Sequence, residues 1–501
     1  MKYESTRGSK NFKSSTEAII RGIAEDKGLY VPAVIPKLPL TVNEMKGMTY
    51  QQIAFQVIRA YFDEYTDEEL KYCVDNAYDS KFEAPEVVPM VKAGKAWFLE
   101  LYHGRTAAFK DMALSILPYL MTTACRKEGE TDKVCILTAT SGDTGKAALE
   151  GFADVPGTEI IVFYPKDGVS QVQERQMVSQ QGKNTHVYAI EGNFDDAQTG
   201  VKKLFSDEAF AAELKEKGVK LSSANSINIG RLVPQVAYYV YSYVKLVESG
   251  ELEDGQPVNI VVPTGNFGNI LAAYMAGQMG INIGKLICAS NENKILTDFL
   301  NTGVYDTRRD FHVTNSPSMD ILVSSNLERL LYLLSDRDGN LVSQWMGQLE
   351  KECVYEVSDE IKAKLKMFYG GFCTQHETLE TIGAMWREEG YLMDTHTAVA
   401  YKVYEDYAAE TGDDSPAIIA STASAYKFAE SVASALQLDE SKVRILSGAS
   451  DAVTGFDYME ALEKATSVKI PSGLKNLKEK PVLHKGVCAK DSMKDAVLAA
   501  L

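Results

Sequence analysis

Short apolar runs alternate with helix-length amphipathic segments from about residue 134 onward, a pattern typical of a parallel sheet covered by helices. Polar and apolar residues hardly alternate within these runs, which indicates strands buried on both faces. Six runs are predicted to be strands: VCILTAT (134–140), EIIVFYP (159–165), HVYAIEG (186–192), VNIVVPTG (258–265), KLICAS (285–290) and AIIAST (417–422). The sequence therefore predicts an α/β fold, whose ligands should lie at the strand-to-helix turns.

The N-terminal part of the chain has a different character. It is mostly helical, and Ser14 with Glu17 predicts a capping box before the segment AIIRGIAEDKG. We interpret this part as an accessory N-terminal unit. A second cluster of helical sequence with few strand signals occupies residues 291–415.

Composition and charge narrow the class of protein. At about 150 residues per domain, 501 residues predict roughly three domains, and 45% hydrophobic residues suffice for more than one core. The 52 Lys and Arg against 69 Asp and Glu give a net charge of −17, which argues against nucleic acid as the main partner. An anionic ligand must therefore be held by local donors.

Cysteine spacing and hydropathy predict a cytoplasmic protein. The seven cysteines are scattered with no C-x-x-C pair, which argues against a disulfide framework or a zinc site, and no metal site is expected. The first residues lack the apolar core of a secretory signal, and no apolar run approaches the length of about 18 residues that spans a bilayer. We expect no membrane partner.

The segment TAAFKDMALSILPYLM, residues 106–121, is the most informative part of the sequence. On a helix, Lys110 would share an apolar stripe with Ala107, Ala113, Leu114 and Leu117. One interpretation is a lysine whose stem packs on apolar surface while its head reaches water. The other is a desolvated amine of lowered pKa, suited to attack a carbonyl and form a Schiff base.

Three predicted helix starts carry groups suited to anions. The turn SGDTG (141–145) either caps a helix or grips a carboxylate. The segment NSINIGR (225–231) places amides, a hydroxyl and a guanidinium at a helix start, a set suited to phosphate. The turn TGNFGN (264–269) either directs backbone N–H groups at an anion or is an ordinary tight turn. Neither a dinucleotide nor a P-loop motif is matched.

Five motifs occur in a fixed order along the chain: HGRTAAFKD (103–111), TATSGDTG (138–145), NSINIGR (225–231), PTGNFGN (263–269) and IASTASAYKF (419–428). Together they resemble the threonine synthase family of fold-type-II pyridoxal-phosphate enzymes. The resemblance implies two parallel-sheet α/β domains and a mainly helical N-terminal accessory unit. The implied bounds are 1–95 for the accessory domain, 96–124 with 231–501 for the large cofactor-binding domain, and 125–230 for a small movable domain.

The resemblance also implies a role for each matching residue. Lys110 would carry the pyridoxal phosphate as a Schiff base and act in catalysis, and Thr422 would face the pyridine nitrogen. Asp143 stands where related enzymes place an asparagine near the phenolic oxygen of the cofactor. The cofactor phosphate would be held by Gly265, Asn266, Phe267, Gly268 and Asn269. The substrate carboxylate would be held by Ser141, Gly142 and Thr144, and the substrate phosphate by Asn225, Ser226 and Arg231.

The reaction implied by the family is the last step of threonine biosynthesis. O-Phospho-L-homoserine and water give L-threonine and phosphate, by γ-elimination and then β-addition of water. The alternatives are a phospholyase or a serine or threonine dehydratase of the same fold, and a catalytically silent relative that binds a metabolite. We expect a monomer or a homodimer that acts on this small-molecule substrate.

Overall fold

A computed structural model describes residues 1–501 and divides its strands among four sheets. The strands are β1 (Tyr3–Ser5), β2 (Tyr30–Pro32), β3 (Met90–Ala93), β4 (Ala96–Glu100), β5 (Lys133–Ala139), β6 (Thr158–Pro165), β7 (Thr185–Glu191), β8 (Val219–Ser222), β9 (Val258–Pro263), β10 (Ile283–Ser290), β11 (Val304–Asp306), β12 (Val354–Glu356), β13 (Phe368–Phe372), β14 (Ala417–Ser421) and β15 (Gly486–Ala489).

Helices occupy most of the remaining chain. The α-helices are α1 (Ser15–Arg21), α2 (Val42–Met45), α3 (Tyr50–Tyr61), α4 (Asp67–Ala77), α5 (Lys110–Leu114), α6 (Leu117–Glu128), α7 (Asp143–Phe152), α8 (Gln171–Val178), α9 (Phe194–Ser206), α10 (Glu208–Glu216), α11 (Ile229–Ser249), α12 (Gly268–Met279), α13 (Ile295–Thr302), α14 (Leu327–Leu334), α15 (Gly339–Glu352), α16 (Asp359–Leu365), α17 (Gln375–Glu389), α18 (Thr395–Thr411), α19 (Ala429–Ala435), α20 (Glu440–Ser447), α21 (Gly455–Thr466) and α22 (Met493–Ala500). None of them is both long and apolar enough to cross a membrane.

The larger of the two main sheets has six strands in the order β13-β10-β9-β14-β4-β3. Neighbouring strands are parallel except β3 and β4, which form an antiparallel edge. Every residue of β9 and β14 is buried, as expected for parallel strands covered on both faces. The predicted strands at 258–265, 285–290 and 417–422 are therefore confirmed.

The second main sheet has five parallel strands in the order β15-β7-β6-β5-β8. The predicted strands at 134–140, 159–165 and 186–192 are confirmed. Its edge strand β15 lies near the C-terminus of the chain and pairs with β7, with Gly486 opposite Tyr188. This C-terminal segment belongs to the smaller sheet, whereas the sequence assigns all of 231–501 to the large domain.

The N-terminal unit is mainly helical, as the sequence predicts, and it shares a core with the rest of the protein. The capping box forms at the start of α1, where the Ser14 hydroxyl accepts from the Glu17 N–H at 3.1 Å. Ile19 and Ile53 belong to one apolar cluster that continues into both main sheets. Because α3 packs along α11, the N-terminal unit lies against the helix that follows segment 225–228.

Candidate active site

Lys110 is the first residue of α5 and is held against the end of β14. The Phe109 N–H donates to the Thr422 carbonyl at 2.8 Å, and the Ser424 N–H donates to the Ala107 carbonyl at 3.0 Å. Ala107 lies in the left-handed region at φ 57°, which turns the chain just before the lysine. The backbone thus brings Lys110 and Thr422, which are far apart in sequence, to one strand end.

The predicted apolar stripe around Lys110 is only partly correct. Ala113, Leu114 and Leu117 are buried, but the helix begins at Lys110, so Ala107 lies in the preceding loop and not on a helical face. Periodicity could not show this, because the segment before the lysine is as apolar as the segment after it. The backbone bonds to the loop after β14 set the start of the helix instead.

The surroundings of Lys110 make its amine easier to deprotonate than that of a lysine in water. Its side chain is half-buried, and its Nζ has no hydrogen-bond or ion-pair partner. Desolvation lowers the pKa of Lys110 to about 8; Asp143 opposes this shift, while Arg231 and Lys427 add to it. This is the environment that the desolvated-amine interpretation requires.

A buried ion pair lies beside Lys110. The Lys427 Nζ is 2.7 Å from the Asp143 Oδ1, and their side chains are 0% and 5% exposed. Lys427 also donates to the Thr106 carbonyl at 3.0 Å, and Gln173 donates to Asp143 at 2.9 Å. Although burial opposes ionisation, the charges of Lys427 and Lys110 hold the pKa of Asp143 well below its usual range. Asp143 therefore stays ionised at neutral pH.

None of the side chains within the turn at 141–145 caps the helix that follows it. Asp143 begins α7, but neither it nor Thr144 accepts from a backbone N–H of that helix. The Thr140 hydroxyl takes this role, accepting from the N–H groups of Gly142 at 3.0 Å and Gly145 at 2.9 Å. Ser141 is exposed and Thr144 half-buried, so their hydroxyls remain open to a ligand. The helix-capping interpretation of this turn is not what the structure shows.

The turn at 265–269 leaves a row of backbone donors without protein partners. None of its five N–H groups donates to a protein acceptor, and α12 begins within it at Gly268. Phe267, at φ 61°, has the left-handed backbone of an anion-binding nest. Free N–H groups at the start of a helix fit a phosphate group. The Thr422 hydroxyl, at the end of the neighbouring strand β14, likewise has no protein partner.

Side chains of the segment 324–326 fix the carbonyl groups of this turn. The Ser324 hydroxyl donates to the Gly265 carbonyl at 2.7 Å, and the Asn326 Nδ2 donates to the Asn266 carbonyl at 2.9 Å. These two bonds hold the turn through its carbonyl oxygens, and its N–H groups remain free for a ligand. Asn269 is held differently, because its Oδ1 accepts from Tyr238 at 2.8 Å and from Tyr239. Its Nδ2 is buried without a partner.

Segment 225–231 presents a buried guanidinium to the site. Arg231 is 4% exposed, donates to the Ala224 carbonyl at 2.8 Å and contacts no carboxylate. Its Nε is buried without a partner, and desolvation lowers the pKa of Arg231 to about 10. Asn225 is exposed and Ser226 half-buried. A buried cation with an idle donor and no counter-ion is suited to an anionic ligand.

The sequence interpretation gave no role to several residues that shape this site. Lys427, Gln173 and Thr140 hold the turn at 141–145, and the Tyr-rich start of α11 contacts Asn269. His396 accepts from the Ser318 N–H at 3.1 Å and bonds Asp394 at 2.8 Å, so it fixes the loop that packs on Gly265. These contacts join distant parts of the chain, and no local pattern marks them.

Comparison with known proteins matches the chain to one enzyme family. Three family models match the chain: "Threonine synthase N terminus" at residues 2–78, "Pyridoxal-phosphate dependent enzyme" at 82–422, and "Threonine synthase, C-terminal" at 397–470. Among solved structures, the PLP-bound threonine synthase from Brucella melitensis is similar to this chain. The TM-score is 0.86 at 34% identity, covering 100% of this chain and 99% of that one.

Curated proteins similar to this chain are named as threonine synthases or as threonine synthase-like. Threonine synthase-like 1 from Homo sapiens is 40% identical over 443 residues, which cover 85% of this chain and 58% of that protein. The match therefore spans a little over half of that longer relative. Threonine synthase from Pseudomonas aeruginosa is 37% identical, with 86% of this chain and 90% of that protein covered. The predicted resemblance and fold class are confirmed, and the cofactor is pyridoxal 5'-phosphate.

Proposed function

Because this chain belongs to the threonine synthase family of pyridoxal-phosphate-dependent enzymes, we propose that it converts O-phospho-L-homoserine and water into L-threonine and phosphate. The observation that carries the proposal is Arg231, a buried guanidinium without a carboxylate partner that acts electrostatically on the amine of Lys110. An amine that reacts with a carbonyl cofactor and a cation that receives a phosphate ester are the two groups this reaction needs.

The cofactor fits three features of the site. Lys110 offers an amine of lowered pKa for covalent attachment, and the turn at 265–269 offers its free N–H groups for the phosphate. We assign the ring contacts to Asp143, at the phenolic oxygen, and to the Thr422 hydroxyl, at the pyridine nitrogen. When bound, the cofactor withdraws electrons from the substrate and so acidifies the protons on its carbon chain.

Substrate binding uses the other two turns. Arg231 receives the substrate phosphate together with Asn225 and Ser226. The turn at 141–144 receives the carboxylate through the Ser141 and Thr144 hydroxyls, with Gly142 between them at a position where a Cβ would lie 2.5 Å from the Gln173 side chain. The overall charge of −17 opposes such an anion, so these local donors must provide the affinity. Arg231 is already desolvated, which strengthens its interaction with a phosphate.

Lys110 moves the protons of the reaction. Its neutral Nζ takes the proton from the α-carbon of the substrate and passes it to the ester phosphate, and, neutral again, it takes one from the β-carbon. The bond between the γ-carbon and the ester oxygen breaks, and phosphate leaves toward Arg231. Lys110 returns a proton to the γ-carbon, and water then adds its hydroxyl to the β-carbon while the α-carbon regains a proton. The atoms balance to threonine and inorganic phosphate.

The deciding experiment supplies purified, cofactor-saturated protein with O-phosphohomoserine. Equal amounts of threonine and phosphate support the proposal, whereas 2-oxobutyrate released together with phosphate indicates a phospholyase. Formation of 2-oxobutyrate from threonine but not from O-phosphohomoserine indicates a dehydratase, and turnover of neither substrate indicates a silent relative. Borohydride reduction followed by mass spectrometry should place the cofactor on Lys110. Lys110→Ala should lose that adduct and all turnover, while Lys92→Ala, at an exposed edge strand, should keep both. An adduct on another lysine contradicts the assignment.

The expected compartment is the cytoplasm. Five of the seven cysteines are buried free thiols, which suits a reducing environment. Fractionation of the native host that recovered the protein in an oxidising compartment would contradict this part of the proposal.

A further inference from the structure

Arg329, in α14, is a second buried arginine without a carboxylate partner. It is 1% exposed, and its three nitrogens each donate to a different segment of the chain. Its Nε donates to the Tyr30 carbonyl at 2.9 Å, its Nη2 to the Ile227 carbonyl, and its Nη1 to the Asn326 Oδ1. Burying an arginine is costly unless its donors are satisfied, so three well-placed acceptors on three segments indicate a specific position.

Two of these acceptors lie next to the anion-binding turns. Asn326 uses its Oδ1 for Arg329 and its Nδ2 for the Asn266 carbonyl at 2.9 Å. Ile227 lies within segment 225–231, two residues before the start of α11. One guanidinium therefore connects the turn at 265–269, through a single amide side chain, to the segment that presents Arg231.

The third acceptor connects both turns to the N-terminal unit. Tyr30 belongs to β2, and the same unit also reaches segment 222–231 through the Ile19 carbonyl, which accepts from the Asn228 Nδ2 at 2.9 Å. The neighbour of Arg329, Glu328, accepts from Arg7 at 3.0 and 2.9 Å. The N-terminal unit thus contacts Arg329 and segment 222–231 through the carbonyl groups of Tyr30 and Ile19.

We propose that Arg329 is a positioning residue that couples the two anion sites, so that occupation of the turn at 265–269 orders segment 225–231. The proposal rests on the function proposed above for these two turns. Arg329 touches neither cofactor nor substrate in this account. It acts through Asn326 on one side and through the Ile227 carbonyl on the other, which sets the separation between the two bound phosphates.

Hydrogen exchange of the intact protein tests this coupling without turnover. Adding pyridoxal phosphate to the cofactor-free protein should slow exchange at 265–270 and also at 222–231. Arg329→Lys keeps the charge but cannot reach three acceptors, and it should keep protection at 265–270 while losing it at 222–231. In the loaded enzyme the same variant should raise the KM for O-phosphohomoserine about tenfold, as for loss of one charged hydrogen bond, with a smaller change in kcat.

Two further variants separate coupling from general support. Asn326→Asp retains an oxygen for Arg329 but loses the donor to Asn266, and it should also abolish the transmitted protection. Arg337→Lys is the matched control, because Arg337 contacts Glu4 and the Pro32 carbonyl of the N-terminal unit but neither turn. It should leave the transmitted protection unchanged.

The outcomes distinguish this inference from the proposed function. Protection of 222–231 that survives in Arg329→Lys, or that never occurs in the wild type, overturns the coupling even if threonine is formed. If Arg329→Lys does not fold, Asn326→Asp decides alone. Transmitted protection in a protein that forms no threonine overturns the proposed reaction and leaves the coupling standing.

Discussion

Lys427 and Asp143 form an ion pair of 2.7 Å in the interior of the protein, in contact with Gln173 and the Thr106 carbonyl. The pair joins the turn after β5 to the loop after β14, and so connects the smaller sheet to the larger one beside Lys110. Each partner of a buried pair neutralises the other, so removal of one leaves an uncompensated charge.

Lys427→Met should destabilise the protein by about 3–5 kcal/mol, the usual cost of breaking a buried pair on one side. Asp143→Asn combined with Lys427→Met removes both charges and should recover most of that loss. Thermal unfolding of the single and double variants measures the difference. A double variant no more stable than Lys427→Met would show that the pair is not compensated as described.

The same pair adjusts the pH at which the cofactor attaches, on top of the larger effect of desolvation on Lys110. Only a neutral amine attacks a carbonyl, so the attachment rate in cofactor-free protein should rise with pH through a midpoint near the Lys110 pKa of about 8. Removing the carboxylate in Asp143→Asn should lower that midpoint, and removing the cation in Lys427→Met should raise it. Stopped-flow absorbance at several pH values measures it. Shifts in the same direction would contradict this electrostatic account.

We expect Arg231 to contribute to substrate binding but not to the stability of the protein. Arg231→Met removes a desolvated cation with an idle Nε, so the melting temperature should stay level or rise. The KM for the phosphate ester should increase about a hundredfold, as for loss of two charged hydrogen bonds. Cofactor affinity should change little. A large loss of melting temperature together with an unchanged KM would give Arg231 a structural role.

Glycine at position 265 is required by a close backbone approach. A Cβ there would lie 2.6 Å from the Ser318 carbonyl oxygen, so Gly265→Ala must displace the turn and should weaken cofactor binding. Gly347→Ala is the control, because a Cβ at Gly347 meets nothing within 4 Å and alanine favours the helix by about 1 kcal/mol. Cofactor titration followed by fluorescence compares them. Equal affinities would show that the turn tolerates the side chain.

Acid should weaken the protein through Glu150. Lys146 at 2.9 Å and Arg105 at 3.0 Å help to lower the pKa of this carboxyl from 4.5 to about 2, against the opposing effect of burial. A depressed carboxyl pKa adds stability that is complete above the unfolded value and is lost as the pH falls toward the folded one. The melting temperature should therefore fall between pH 5 and pH 2 less steeply in Glu150→Gln than in the wild type. Equal slopes would contradict this contribution.

The main sheets were predictable because their inner strands are continuous apolar runs. Strands such as β13, with two glycines among its five residues, and β15, with four residues, give no such signal, since neighbouring strands determine them. In the site, residue type and order single out Lys110, Arg231 and the turn at 265–269 as candidates, and their roles stay predictions. Partners such as Lys427, Asn326 and Arg329 could not be predicted, because their contacts join segments that only the folded chain brings together.

The pairing of β15 with β7 also bears on how the protein resists self-association. A chain that ended before Gly486 would expose the hydrogen-bonding edge of β7 at residues 188–191, the positions that pair with β15, to any other extended peptide. The last sixteen residues, β15 and the helix α22 that packs beside it, therefore act as a protective border for the smaller sheet.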